Sequence, residues 1–143
     1  MKKKLYLILN IIIFTVITNT IAANQNIYFN EGKKLFDSKK YEEARIKFEK
    51  DIVFNPKNFN SYLYLAKIFN QEKKSYLEKN NLNTVISLDP KNEEAIYYLA
   101  LMSIEESNFD KANEYIEKLK ITCSKLCSKD KSLKKKLNDL IKK

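Results

Sequence analysis

Apolar residues recur along this chain at the spacing of helices, not of strands. Tyr62, Leu65, Ala66 and Phe69 stand at i, i+3, i+4 and i+7, the stripe that one buried face of an α-helix requires. Leu82, Val85, Ile86 and Leu88 form a second stripe, which predicts a partner helix. Toward the end, Leu133, Leu137, Leu140 and Ile141 make a narrower one, with Lys134, Lys135, Lys136, Lys142 and Lys143 coating the other side.

The pattern repeats with a period of 34 residues, the first thing to look for in such a chain. Asn55-Pro56-Lys57-Asn58 returns as Asp89-Pro90-Lys91-Asn92. The same shift carries Tyr28 to Tyr62 to Ile96, Gly32 to Ala66 to Ala100, and Phe48 to Leu82 to Ile116. It also carries Ala44 to Glu78 to Ala112, where Glu78 breaks the rule that small falls on small. Each unit reads as two helices. Asn58 and Asn92 are N-cap residues, and Glu93 and Glu94 place negative charge in the following first turn. Pro56 and Pro90 cannot continue the preceding helix and turn the chain. Within the first unit the helix restarts at Lys39-Lys40-Tyr41-Glu42-Glu43-Ala44, and within the third at Asn108-Phe109-Asp110-Lys111-Ala112. Gly32, Ala66 and Ala100 fall midway along first helices, where a missing side chain lets the partner helix approach, and Ala44 and Ala112 answer from the second.

Composition narrows the chemistry. One glycine and two prolines in 143 residues argue against hairpin-rich β architecture, and one glycine leaves no phosphate-cradling loop. No histidine is present, which removes Ser-His-Asp and Cys-His catalysis and the commonest metal ligand. The carboxylate pairs Glu42-Glu43, Glu93-Glu94 and Glu105-Glu106 lie at helix starts or on solvated faces and read as helix electrostatics. No catalytic residue, metal site or cofactor is therefore expected, and the chain is read as non-enzymatic.

The net charge of +9 is uneven. Residues 117–143 hold 10 basic against 3 acidic groups, whereas 24–116 are nearly balanced at 14 against 15. The remaining three lysines follow Met1 and precede an apolar run from Leu5 to Ile17 and then Thr20-Ile21-Ala22-Ala23, the form of a secretory signal peptide. Segment 1–23 is thus a signal peptide with cleavage after Ala22 or Ala23, the alternative being an uncleaved anchor. Either way the chain is exported. It is expected to be periplasmic or secreted, or held by the anchor in the inner membrane facing the periplasm.

Cys123 and Cys127 are the only cysteines. In an exported chain such a pair reads as an intramolecular disulfide. A loop suits that geometry better than a helix, where Cα atoms four residues apart stand about 6 Å from each other. So short a ring would stabilise the fold by about 1–2 kcal/mol. A metal reading would need two more ligands, which without histidine would be carboxylates.

Together these features resemble the tetratricopeptide repeat family. The residues that carry the likeness are Tyr28, Gly32, Leu35, Ala44, Phe48 and Pro56 in the first unit. In the second they are Tyr62, Ala66, Phe69, Leu82 and Pro90, and in the third Ile96, Leu99, Ala100, Phe109, Ala112 and Ile116. The resemblance implies an all-α, right-handed α-solenoid of three helix-turn-helix repeats in residues 24–126, with units at 25–58, 59–92 and 93–126. A Lys-rich capping helix over 127–143 would cover the end of the third. Three departures stand out: Glu78 at a small position, implying looser packing, Ser103 in place of Leu35 and Phe69, and Ser124 in place of the proline.

By the same resemblance the concave wall is lined by first helices. Its candidates are Phe29, Asn30, Lys33 and Asp37, then Leu63, Tyr64, Lys67, Asn70 and Gln71, and finally Glu94, Tyr97, Tyr98, Leu101 and Glu105. Relatives that clamp a chaperone's terminal carboxylate use a set of Lys, Asn and Arg on this wall. Here only Lys33 and Lys67 are basic, and the asparagines fall out of register. Tyrosines offer contact area and a hydroxyl at low entropic cost, which suits an extended peptide or protein partner. No nucleic-acid partner is expected of an exported chain. The alternative function is weak contact of the Lys-rich end with an anionic membrane, where each basic residue contributes about 1 kcal/mol.

Overall fold

Three turns of one design reverse the chain between paired helices. In the computed structural model, which describes residues 27–141, these turns place Lys39, Lys73 and Ser107 at φ near +60°, spaced by the period of the sequence. At each, the residue after the left-handed one donates its N–H to a carbonyl five positions back: Lys40 to Leu35, Lys74 to Phe69 and Asn108 to Ser103. The left-handed residue itself bonds three back, to Phe36, Asn70 and Ile104. This pair of bonds satisfies carbonyls that a helix end leaves orphaned. Glycine usually holds such a position, and in a chain with one glycine lysine and serine hold it instead.

Seven helices, and no strand, lie among the described residues: α1 (Ile27–Asp37), α2 (Tyr41–Phe54), α3 (Phe59–Gln71), α4 (Ser75–Leu88), α5 (Glu93–Glu105), α6 (Phe109–Thr122) and α7 (Cys127–Ile141). The all-α class expected from the periodicity is observed. Residues 1–23, expected from the sequence to be a signal peptide or anchor, lie outside the described residues. Among those described, no helix is long and apolar enough to cross a membrane.

The chain divides into two units at Pro56 and Lys57. In the first, α1 and α2 form a hairpin. Gly32 faces Phe48 so closely that a Cβ at Gly32 would stand 2.8 Å from Phe48 Cε1. The absent side chain is therefore what admits the fully buried Phe48 ring. Phe29 packs on the other flank of that ring, with centroids 5.9 Å apart. Tyr28 stacks on Phe54, and Lys47 joins Glu31 at 2.6 Å.

The second unit holds α3 to α7, with α3 paired to α4, α5 to α6, α4 against α5, and α7 against both α5 and α6. One core gathers Leu63, Ala66, Leu82, Val85, Ala95 and Leu99. The next gathers Ile96, Ala100, Ala112, Ile116 and Leu119 with Leu133 and Leu137 of α7. Only part of each predicted stripe is buried. Leu88 is 37% exposed. Leu140 and Ile141 are 40% and 53% exposed, because the apolar packing of α7 into the core is made by Leu133 and Leu137.

The three departures each acquire a structural role. Glu78 does not leave a loose pair. Its carboxylate, 4% exposed, accepts from Asn70 Nδ2 at 3.0 Å, so the extra volume is spent on a polar bridge from α4 to α3. Ser103 is buried and returns its hydroxyl to the Leu99 carbonyl at 2.8 Å, which satisfies it inside the helix. Ser124 belongs to the site described next.

Candidate functional site

The starts of α3 and α5 are set by asparagine caps. Asn58 Oδ1 accepts from the Asn60 N–H at 3.2 Å, and Asn92 Oδ1 from the Ala95 N–H at 3.1 Å. The first two turns of these helices and the α6–α7 loop enclose a cleft of about 460 Å3. Asn60 and Leu63 of α3 form one side, Asn92, Glu93, Glu94, Tyr97 and Tyr98 the second, and Lys125 and Leu126 the third. Clefts of this size hold ligands by apolar and aromatic contact with a few fixed polar groups.

The tyrosines supply the contact area. Tyr97 and Tyr98 meet edge to face at 5.6 Å, the arrangement favoured by the ring quadrupole. Lys129 Nζ of α7 stands 5.9 Å from the Tyr97 ring, an ammonium–aromatic contact at the outer rim. Burial pushes the Tyr98 phenol above its ordinary pKa, and the Glu94 carboxylate and Tyr97 add to the effect, so it stays a neutral donor. Charge on the α3 side is balanced within the protein. Lys67 Nζ lies 2.7 Å from Glu94 and 4.9 Å from the Tyr64 ring centroid, which joins α3 to α5 at the cleft's edge.

Glu93 holds the third wall. Its carboxylate accepts from the backbone N–H groups of Ser124 at 2.9 Å, Lys125 at 3.0 Å and Leu126 at 2.9 Å, and from the Ser124 hydroxyl at 3.0 Å. These bonds, led by that from Leu126, bring its pKa down to about 2. A carboxylate next to the first residue of α7 also meets the positive end of that helix. The departure at Ser124 now has a reason: proline there has no N–H to give Glu93. On the far side of the same loop Cys123 and Cys127 form a disulfide, with Cα atoms 5.1 Å apart. It brackets a loop, as the helix geometry suggests it should.

Of the residues read from the sequence, Leu63, Glu94, Tyr97 and Tyr98 come together in this cleft, with Tyr64 and Lys67 beside it. Leu63 contributes only an edge, since it is buried in the core. Leu101 is not among the residues lining this cleft and packs, partly buried, against the core between α5 and α6. Asn70 and Glu105 line a second cleft of about 360 Å3, with Lys73, Ser75, Glu78, Met102 and Glu106. There Asn70 is bound to Glu78, and Glu105 lies 3.6 Å from Lys136 of α7. Gln71 is exposed at the end of α3. Phe29, Asn30, Lys33 and Asp37 sit on α1 in the first unit, where Phe29 is committed to Phe48 and the other three are exposed.

Sequence reasoning missed Asn60, Asn92, Glu93, Lys125 and Leu126 as lining. Asn92 and Glu93 are legible as helix-start residues, but a contact 31 to 33 positions away leaves no local signal. Among the described residues no group of three or more His, Cys, Asp or Glu could hold a metal ion.

No protein-family profile matches the chain, and no curated protein does. Solved structures do. The tetratricopeptide domain of P58(IPK) superposes with a TM-score of 0.77 at 20% identity, over 83% of this chain and 34% of that one. The first tetratricopeptide domain of Spaghetti (RPAP3), bound to the HSP90 peptide SRMEEVD, superposes with a TM-score of 0.72 at 18% identity, over 83% of this chain and 94% of that one. The chain thus spans about a third of the P58(IPK) structure and nearly the whole of the other. Its fold is the tetratricopeptide fold.

Proposed function

We propose that this chain is a non-enzymatic protein–protein interaction module of the cell envelope that takes an extended peptide segment of a partner. The observation that carries the reading is the Tyr97–Tyr98 cleft, open between α3, α5 and the α6–α7 loop. Two rings at an edge offer apolar surface and hydroxyls without a long side chain to immobilise. The peptide held by the RPAP3 neighbour supports the ligand class. Its acidic sequence does not transfer directly, because Lys67 is already matched by Glu94. A peptide with apolar or aromatic side chains and no strong charge fits better. Export, inferred from segment 1–23, supports the envelope setting.

The test is affinity capture of the tagged protein from its own cell envelope, with Tyr64→Ala and Tyr97→Ala as variants. Both should lose the partner while keeping helical circular dichroism. Equal recovery by the folded variants would place the binding surface elsewhere. Mass spectrometry of the captured protein also reads its N-terminus, which distinguishes a cleaved signal from an anchor.

The second reading, contact with an anionic membrane, is favoured by the exposed Lys129, Lys131, Lys134, Lys135 and Lys136 on α7. Lys134 and Lys136 already meet Glu117 and Glu105, at 3.1 and 3.6 Å, which reduces the surplus charge of that face. Binding to anionic vesicles that fades with salt would support it, and salt-insensitive behaviour would dismiss it.

A further inference from the structure

We propose that the Cys123–Cys127 disulfide is a redox control on this cleft. Reducing it frees residues 124–126, takes away the Lys125–Leu126 wall and weakens peptide binding there. The inference rests on the cleft being the peptide site.

The loop between α6 and α7 is short and carries no regular structure, and two restraints act on the same few residues. One is the covalent ring from Cys123, at the end of α6, to Cys127, the first residue of α7. The other is Glu93, which collects the N–H groups of Ser124, Lys125 and Leu126 only if all three point the same way. The ring holds them in that arrangement in advance. Once it opens, the Glu93 bonds must order the loop unaided, against the conformational entropy of each freed residue. Lys125 and Leu126 are cleft lining, so this change is felt where the peptide would sit.

The rest of the unit does not depend on the bond. α7 remains docked through the buried Leu133 and Leu137, and α6 through Ile116 and Leu119. Reduction is thus a local loosening. Cys127 is exposed, so a reductant can reach its sulfur. A dithiol serves: its thiolate attacks one sulfur to give a mixed disulfide, and its second thiolate resolves it. Cys123 and Cys127 end as thiols, having taken two electrons and two protons, and the dithiol leaves as its own disulfide. The coupling is reciprocal: a peptide that prefers the oxidised form tenfold protects the bond against reduction by the same factor, about 30 mV.

The experiment uses the full chain, oxidised, reduced with dithiothreitol, and as the Cys123→Ser/Cys127→Ser variant. Amide exchange at 124–126 should accelerate about tenfold in the reduced and variant proteins, within the range of ordinary site coupling. Amides of α5 and α6 should not change. A heptapeptide selected by display on the oxidised chain should bind about tenfold more weakly after reduction, with affinity restored on reoxidation. Unchanged loop exchange, or equal affinity in the two states, would overturn the redox control. A peptide indifferent to Tyr97→Ala would instead overturn the cleft as the peptide site. One sensitive to Tyr97→Ala but not to reduction would sink the redox control alone. Failure to select any peptide counts against both.

Discussion

Replacing Glu93 by Gln should cost stability at neutral pH and nothing in strong acid. The carboxylate accepts three backbone N–H groups and a hydroxyl from 124–126. Glutamine keeps one acceptor oxygen and turns an NH2 toward donors that need an acceptor. The pKa falls from 4.5 to about 2 in the fold, which at about 1.4 kcal/mol per pH unit is nominally about 3 kcal/mol. Glu93 sits at the water's edge, so screening reduces this to about 1–2 kcal/mol. The sign follows from the lowered value: the unfolded chain takes up the proton first as pH falls. The stabilisation is therefore complete above pH 4.5 and is lost as pH falls toward 2. Urea unfolding of both proteins, disulfide intact, followed by helical circular dichroism across that range, measures the gap. Comparing the two chains cancels the other titrating carboxylates, Glu117 and Glu78 among them. Equal stability at neutral pH, or a gap that does not shrink in acid, would refute the assignment of Glu93 as the anchor of the loop.

Three further substitutions test the packing. Gly32→Ala should gain about 0.5–1 kcal/mol of helix propensity but lose about 1–3 kcal/mol by driving a Cβ into the buried Phe48 ring, for a net loss in thermal melting of about 0.5–2 kcal/mol. Lys73→Gly should raise stability by about 0.5–1 kcal/mol by removing the Cβ penalty at φ 57°, with no change in the helical spectrum. Glu78→Gln should stabilise by about 0.5–1 kcal/mol at neutral pH, because burial raises the Glu78 pKa and the amide removes the buried charge while still accepting from Asn70. A raised pKa means that the native protein binds the proton more readily, so wild-type stability falls as pH rises past 4.5 and the benefit of Gln disappears below it.

Helix class and pairing are legible in the chain because burial on one face leaves a local period. The alternation of Gly32, Ala66 and Ala100 with Phe48, Leu82 and Ile116 is the written form of helix contact. The turns are not legible, because Lys39, Lys73 and Ser107 adopt a conformation that glycine usually signals. They repeat at the same period, so the alignment finds them once one is known. The site is half legible. Tyr97, Tyr98 and Glu94 lie on a helix whose register the stripe sets. The wall at Lys125 and Leu126 comes from the bond between Glu93 and a loop far along the chain. Ser124 is the trace of that contact, visible in the sequence only as a missing proline. Leu140 and Ile141 show the opposite failure: they complete a stripe, but α7 has no neighbour left for them to cover.

The most direct test of the cleft is site-specific photo-crosslinking in the cells that make the protein. A photoreactive phenylalanine replaces Tyr97 in one protein and Ile121, an outward residue of α6 that is 82% exposed, in another. The account predicts a discrete partner adduct from position 97 and none from position 121. Adducts at 121 with none at 97 would contradict it.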